Sequence, residues 1–455
     1  MTRTAFSRSG LYGTTEDEAT QRAAFTGGDV PVAVYGLGKM GAPLAAVYAD
    51  VTGNAIGVDV DPDVVDAINA GESPIKREPG LPALVADVVA SGGLRATTDA
   101  DAAAEAAAVH VLIVPTALTD ENEPDLSIMD EVVRTVGGGL SPGDLVVVES
   151  TVPPRTTVDR FWPTLLETSG LERGAFGVAA CPERTVSGQA IADVRGTHPK
   201  VVGGVDDEST RAAALVYDEI SSNEVIRASD STVAEATKVF EGVYRDVNIA
   251  IANQLALFAE EMGADVTEAI EVANTQPFCD IHDPGPGVGG HCIPVYPYFL
   301  AGRFDADASL LTTARKRNDD MPAHTAALTE AILASEGVDP ADATVLLLGM
   351  TYKANIAELQ HSPSIPLARC LVDGGATVYG VDPLVDDWAA LDAVTPLTLE
   401  TVHDHSVDAV VLATPHDEFL DLEWDAFDAP ILDGRAAIDG TDLETPVYTV
   451  GGQWP

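Results

Sequence analysis

Apolar residues along much of this chain fall into short unbroken runs bounded by turn residues, at 30–35, 55–58, 109–114 and 145–148. Runs without alternation are the mark of parallel strands covered by helices on both faces. A helix is expected at 43–51, between the first two runs, so the order is strand, glycine turn, helix, strand, and on through further alternation. This pattern predicts a doubly wound α/β domain.

The texture changes at Ser229. Thr232 and Glu235 have the spacing of a capping box, and Val239, Val243, Val247, Ile251 and Phe258 follow at helical intervals until Gly263. The expectation is one helix of about 30 residues, about 45 Å long at 1.5 Å per residue. A helix of that length bridges domains or pairs with a second subunit. A second α/β unit follows, with strands at 343–349, 377–381 (running into Asp382-Pro383) and 410–414. The predicted architecture is α/β, two Rossmann-like doubly wound domains joined by a long central helix. Its parts are an N-terminal extension (1–29, one helix near 16–25 and no motif), a dinucleotide-binding domain (30–228), a central helical domain (229–330) and a C-terminal Rossmann-like domain (331–455).

Charge narrows the choice of partners. In 455 residues, 72 acidic side chains oppose 25 basic ones, a formal net charge of -47. Such a surface repels nucleic acid and anionic membranes. No apolar run reaches transmembrane length, and the basic N-terminus (Arg3, Arg8) lacks the apolar core of a signal peptide, so a cytoplasmic protein is expected. Cys181, Cys279, Cys292 and Cys370 show neither metal-ligand nor disulfide spacing and read as reduced thiols, with no metal site.

Three features carry chemistry. Gly36-Leu-Gly38-Lys39-Met40-Gly41 follows an apolar strand and opens a helix, where bare backbone lets a pyrophosphate reach the helix N-terminus. Asp59, at the end of the next strand, suits ribose hydroxyls and repels a 2′-phosphate, which favours NAD over NADP; by itself it also fits a solvated strand end. Pro284-Gly-Pro-Gly-Val-Gly-Gly-His-Cys292 sets a thiol at the end of a glycine loop, either as a nucleophile or as a small buried apolar group. Lys238 lies among apolar residues of the long helix, with Gly242 and Arg245 on its face, and reads either as a functional cation or as a snorkelling surface lysine.

Together with Val114-Pro-Thr116, Glu149-Ser-Thr151-Val-Pro, Cys181-Pro-Glu-Arg184, Gly349-Met-Thr-Tyr-Lys353 and Asp433-Gly-Arg435, these motifs resemble, in order, the UDP-glucose/GDP-mannose dehydrogenase family from Val30 to about Tyr448. Within it, Cys181-Pro-Glu-Arg184 with Ser187-Gly188, and Tyr244-Arg245-Asp-Val-Asn-Ile249, look most like the UDP-N-acetyl-D-mannosamine branch. The resemblance implies NAD-dependent, four-electron oxidation of a UDP-sugar C6 alcohol to the uronate through a Cys292 thiohemiacetal and thioester. By the same resemblance, Lys238 moves protons and stabilises an oxyanion, Glu183 is the base for the hydrolytic water, and Thr116 positions water or hydroxyl. NAD would touch Gly36, Gly38, Lys39, Met40, Gly41, Asp59, Thr116 and Thr151. The sugar nucleotide would touch Arg184, Thr185, Lys238, Arg245 and Gly289, with Tyr352, Lys353 and Arg435 at its UDP end. A homodimer through the central helix is also implied.

Several positions depart from the family pattern. Its asparagine one turn after the helix lysine is Gly242, its aspartate four residues after the cysteine is Tyr296, and its cross-subunit arginine is Gln360, in Ala357-Glu-Leu-Gln-His-Ser-Pro363. The mannosamine branch's histidine and arginine before the glycine loop are Gln276 and Phe278. Rival readings are therefore a UDP-glucose or UDP-N-acetylglucosamine 6-dehydrogenase, a two-electron β-hydroxyacid dehydrogenase needing no thiol, and a catalytically impaired nucleotide-sugar binder.

The charge yields a prediction of salt-loving behaviour. Self-repulsion destabilises the compact state at low salt, and at about 1 M salt the Debye length falls to about 3 Å. The melting temperature should rise steeply from low to molar KCl; a flat profile by calorimetry would refute it.

Overall fold

The structure, a computed structural model, describes residues 9–186, 188–440 and 443–452; Arg3, Arg8 and Ser187 lie outside them. The chain divides into two compact units. One runs up to Phe240 and takes in Tyr298–Arg303; the other comprises Glu241–Pro297 and everything from Phe304.

The first unit is built on eight strands: β1 (Val32–Tyr35), β2 (Ala55–Val58), β3 (Leu94–Thr97), β4 (Val109–Leu112), β5 (Leu145–Val148), β6 (Gly177–Ala180), β7 (Lys200–Gly204) and β8 (Val225–Arg227). They lie in the order β8-β7-β6-β5-β4-β1-β2-β3. Register is set at the centre, where Val32 of β1 faces Ala55 of β2 and Val109 of β4. Every pairing is parallel except β6 with β7, where Ala180 faces Gly203. Strands β1, β2, β4 and β5 are buried along their whole length, which is why their runs do not alternate.

The N-terminal extension is part of this unit. Helix α1 (Glu18–Thr26) is capped by Asp17, whose side chain accepts from Thr20 N at 2.9 Å. Phe25 and Leu11 are buried, and Arg22 donates to Glu219 at 2.6 Å and to Asp218 at 2.9 Å on the last turn of a later helix. Residues 9–29 therefore pack mainly on helices that flank the sheet of this unit. Helix α2 (Gly41–Thr52) follows the glycine turn.

Helix α3 (Ser231–Ala256) is the predicted long helix, and two details differ from the sequence reading. Asp230, not Thr232, caps it, accepting from Val233 N at 2.9 Å. Glu235 consequently points away from its own helix and accepts from Arg155 N at 2.7 Å and Thr157 N at 2.8 Å. The capping-box spacing is present in the sequence, but the aspartate two residues earlier starts the helix and supplies the cap. Nor does the helix reach Gly263 unbroken: it stops at Ala256, and a separate turn, α4 (Ala259–Met262), ends at Gly263 in the left-handed region.

The second unit carries six parallel strands: β9 (Thr344–Leu348), β10 (Thr377–Val381), β11 (Thr395–Pro396), β12 (Ala409–Leu412), β13 (Ile431–Asp433) and β14 (Val447–Thr449). Their order is β11-β10-β9-β12-β13-β14. Helix α5 (Ser309–Ser335) packs Met321, Ala326, Ile332 and Leu333 into the core formed with Val345 and Leu347. No helix among the described residues is long and apolar enough to cross a membrane.

Glu235→Ala should strand the buried Thr157 N–H, at a cost of about 1–3 kcal/mol, and the Arg155 N–H, which lies nearer solvent and costs less. Urea unfolding in molar KCl measures it, and a variant as stable as the parent would remove Glu235 from this role.

Candidate active site

In the first unit the glycine turn has the geometry a dinucleotide requires. Gly36 takes a φ of +95°, and a Cβ at Gly41 would lie 1.9 Å from the Gly36 carbonyl oxygen, so strand and helix approach too closely for any side chain there. A Cβ at Gly38 would meet nothing within 4 Å, so that backbone is open to a ligand. No side chain caps α2, so the positive end of its dipole is open to a phosphate. Asp59 accepts from Leu37 N at 2.7 Å and Asp61 N at 3.0 Å. Its carboxylate is thus fixed beside the turn with lone pairs left for ribose hydroxyls. The residues present fit NAD.

The remaining predicted residues of this unit gather on loops after the strands. Thr116 donates to the Thr151 carbonyl at 2.8 Å, and the Thr185 hydroxyl meets the Met40 sulphur, so positions assigned to cofactor and to sugar touch directly. Glu183 accepts from Thr185 N, while its own N–H bonds the Glu149 carbonyl at 3.0 Å. Arg184 is turned toward the Pro199 carbonyl, at 2.7 Å. Lys238, half-buried on α3, has no hydrogen bond or ion pair among the described residues.

Beneath Glu183 lies a cluster that the motif reading passed over. Glu149, Lys200, Tyr217, Tyr48 and Cys181 are all buried. Tyr217 donates to Glu149, and the Lys200 ammonium stands 5.9 Å from the Tyr217 ring centre. Burial opposes the Lys200 charge, but Glu149, Cys181, Glu183 and Asp193 around it more than offset this and push its pKa up. Burial drives the Glu149 carboxyl from 4.5 up to about 7, with Lys200 and Tyr217 pulling it back. The Cys181 thiol is pushed up by burial, so it is no nucleophile. The available signal was the scarcity of lysine: Lys200 stood out as much as Lys238 did.

In the second unit the glycine loop ends at an exposed Cys292. Its glycines are required by protein neighbours. A Cβ at Gly285 would lie 2.7 Å from an Arg435 nitrogen, at Gly287 2.7 Å from Pro363, at Gly289 2.7 Å from Tyr352 Cβ, and at Gly290 2.7 Å from the Tyr352 ring. Two of the loop's N–H groups are occupied within the protein: Gly285 donates to Asn253 at 2.9 Å and Gly290 to the Gln360 carbonyl at 2.8 Å. Gln360 and its neighbour His361, whose Nδ1 lies 3.1 Å from the Gly290 carbonyl, anchor the loop.

The loop is also tied to α3. Asn253 donates to Asn318 at 2.9 Å, Asn318 donates to Asp246 at 2.9 Å, and Arg315 pairs with Asp246, all of them buried. Asn248 accepts from His282 N at 2.8 Å and donates to the Asp280 carbonyl at 2.6 Å. The Tyr244-Arg245-Asp-Val-Asn run noted in the sequence is therefore in part a clamp on the cysteine loop. Burial raises Asp246 to about 6 against the pull of Arg315.

Around Cys292, Tyr352 lies on the loop glycines and hydrogen-bonds Glu358, whose Oε2 is 3.5 Å from His291 Nε2. Burial, with Glu358 and Cys292 nearby, pushes the Tyr352 phenol up. Arg245 and Lys353 stand close enough that, after burial, Arg245 is the second cause lowering the lysine. Neither side chain has a hydrogen bond or ion pair among the described residues. Two repelling cations left unpaired in so acidic a chain are suited to a diphosphate. Arg435 instead donates to the Ala413 and Gly287 carbonyls, both at 3.2 Å, and burial lowers it to about 10. Phe278 is 94% exposed.

Comparison with known proteins places these features. Residues 30–221 match the UDP-glucose/GDP-mannose dehydrogenase family, NAD binding domain; 232–320 match its central domain, and 346–443 its UDP binding domain. UDP-N-acetyl-D-mannosamine dehydrogenase of Pyrococcus horikoshii is 35% identical over 355 residues, 78% of this chain and 84% of that protein. NDP-N-acetyl-D-galactosaminuronic acid dehydrogenase of Ralstonia nicotianae is 36% identical over 360 residues, covering 77% and 82%. The solved structure of the UDP-D-ManNAc dehydrogenase from Pyrococcus horikoshii superposes with a TM-score of 0.85 at 32% identity, over 93% of this chain and 99% of that one.

Because Glu149 is raised on folding, the folded chain holds its proton where the unfolded chain has lost it. The resulting stability is full below pH 4.5 and is lost as the pH rises through about 7. Glu149→Gln should flatten the fall in melting temperature across that window, and an unchanged slope would contradict the assignment.

Proposed function

We propose, for a chain that belongs to the UDP-glucose/GDP-mannose dehydrogenase family and is an NAD-dependent nucleotide-sugar dehydrogenase, that the substrate is UDP-N-acetyl-D-mannosamine, oxidised at C6 to UDP-N-acetyl-D-mannosaminuronate. The observation that carries this reading is one unit holding both an exposed Cys292 at the end of an anchored loop and the unpaired cations Arg245 and Lys353. A nucleophile and a diphosphate site are what a covalent oxidation of a nucleotide sugar needs. The similarity to UDP-N-acetyl-D-mannosamine dehydrogenases supports the choice of sugar.

NAD, when bound, supplies the hydride acceptor for both oxidations. The first oxidation removes a hydride and a proton from the C6 alcohol and leaves an aldehyde. Cys292 Sγ, as thiolate, then adds to the aldehyde carbon, and the oxygen takes a proton to give a thiohemiacetal. Loss of a second hydride and the hydroxyl proton gives a thioester on Cys292. Glu183 takes a proton from water, the water oxygen attacks the thioester carbon, the C–S bond breaks to free the Cys292 thiolate, and the carboxylic acid so formed loses its proton to solvent. Lys238 stabilises the oxyanion and favours the thiolate, and Thr116 positions the hydroxyl or the water. Lys39, Met40, Asp59 and Thr151 hold NAD; Arg184, Thr185, Arg245 and Gly289 line the sugar-nucleotide site, and Tyr352, Lys353 and Arg435 hold its UDP end.

A thiol nucleophile must stay reduced, which supports a cytoplasmic location. The long helix exposes Val233, Phe240, Tyr244 and Ile251 at heptad-like spacing, and this apolar stripe supports a homodimer through α3, held together where salt screens the charge.

Anaerobic turnover in molar KCl should give two NADH per UDP-N-acetyl-D-mannosamine and a uronate identified by mass. Cys292→Ala should lose roughly a thousand-fold or more of that rate. A ratio of one, or undiminished turnover by Cys292→Ala, would refute the covalent route. Preference for the glucose, N-acetylglucosamine or N-acetylgalactosamine nucleotide would overturn the choice of sugar.

A further inference from the structure

Gly242 lies inside α3, where glycine costs about 1 kcal/mol relative to alanine, and its φ is not positive, so no backbone conformation calls for it. The reason lies in its neighbour. A Cβ at position 242 would sit 2.2 Å from Tyr296 Cδ2 and 3.1 Å from Cγ and Cε2, whereas non-bonded carbons settle at about 3.5–4.0 Å. The ring occupies the volume in which a side chain would begin. Tyr296 is only 5% exposed, and its N–H donates to the Cys292 carbonyl at 3.0 Å, which places the ring one turn beyond the thiol.

Cys292 is thus clamped on both sides. Upstream, Tyr352 rests on Gly289 through its Cβ and on Gly290 through its ring; downstream, the Tyr296 ring rests on Gly242. We propose that Gly242 and Tyr296 form one coupled positioning device, in which the ring seated on bare helix backbone fixes the turn that presents Cys292; this rests on the reading of Cys292 as the nucleophile. The pair also accounts jointly for the two departures from the family pattern. An asparagine at 242 collides with a ring at 296, and an aspartate at 296 leaves a void beside a glycine, so neither single reversal fits.

The test uses the full chain in molar KCl and reads kcat, KM for the sugar nucleotide, melting temperature, and the rate of iodoacetamide alkylation at Cys292, with Cys279 as internal reference by peptide mass. Gly242→Ala and Gly242→Asn should each lower kcat about ten-fold or more, since an ångström of misplacement costs that much, with KM nearly unchanged. Both should also change Cys292 alkylation several-fold and leave Cys279 alone. Gly242→Asn/Tyr296→Asp should recover most of what Gly242→Asn loses. Tyr296→Phe, which keeps the ring, should lose far less than Tyr296→Ala, an arm that stands even where the Gly242 variants do not fold. Additive losses in the double variant, parental kinetics in Gly242→Ala, or a Tyr296→Phe as impaired as Tyr296→Ala would each overturn the coupling. Alkylation needs no sugar, so a parent chain with no turnover would fell the proposed function while the coupling is still measured.

Discussion

The second unit depends on a buried ion pair. Asp246, on α3, meets Arg315, on α5, with almost no solvent at either group, and the pair is extended by Asn318 and Asn253 to the N–H of Gly285. Removing either charge leaves the other stranded in low dielectric, which costs several kcal/mol. The return for burying charge is positional rather than energetic. An apolar contact would let the loop slide, whereas a chain of directional hydrogen bonds admits a single register. Because the loop ends at Cys292, that register decides where the thiol stands.

The chain's charge makes the disposition of its few cations informative. Arg22, Arg160 and Arg211 sit among carboxylates and knit the fold together. Lys200 is buried in a nest of acids and tyrosines beneath Glu183. Arg245, Lys353 and Lys238 alone among the predicted site cations lack any such partner among the described residues. With acids in nearly threefold excess, an unpaired cation is one from which acids have been kept away, and an anionic ligand is the natural counter-charge.

Much of the fold could be read before any coordinates. The buried strands of both sheets announced themselves as unbroken apolar runs because helices cover both faces, and β1, β2, β4 and β5 fall within the expected runs. The antiparallel β7, with Lys200 and two glycines in five residues, gave no comparable signal, since its direction depends on the connection before it and not on its own composition. The helix cap was misplaced for a related reason: local spacing fits Thr232 and Glu235, but Glu235 has better partners some 80 residues back.

Local chemistry is what the sequence by itself determined. A glycine turn between strand and helix, a carboxylate at the next strand end and a thiol after a glycine loop follow from residue type and short spacing, because backbone conformation near a glycine is set within a few residues. The tertiary structure alone decided what those residues face. The glycines of the cysteine loop are covered by Tyr352, Pro363 and Arg435, and the two apparent losses, Gly242 and Tyr296, are a single contact. Spacing along a chain cannot report such things, since whether two side chains compete for one volume depends on elements more than fifty residues apart being packed to van der Waals contact.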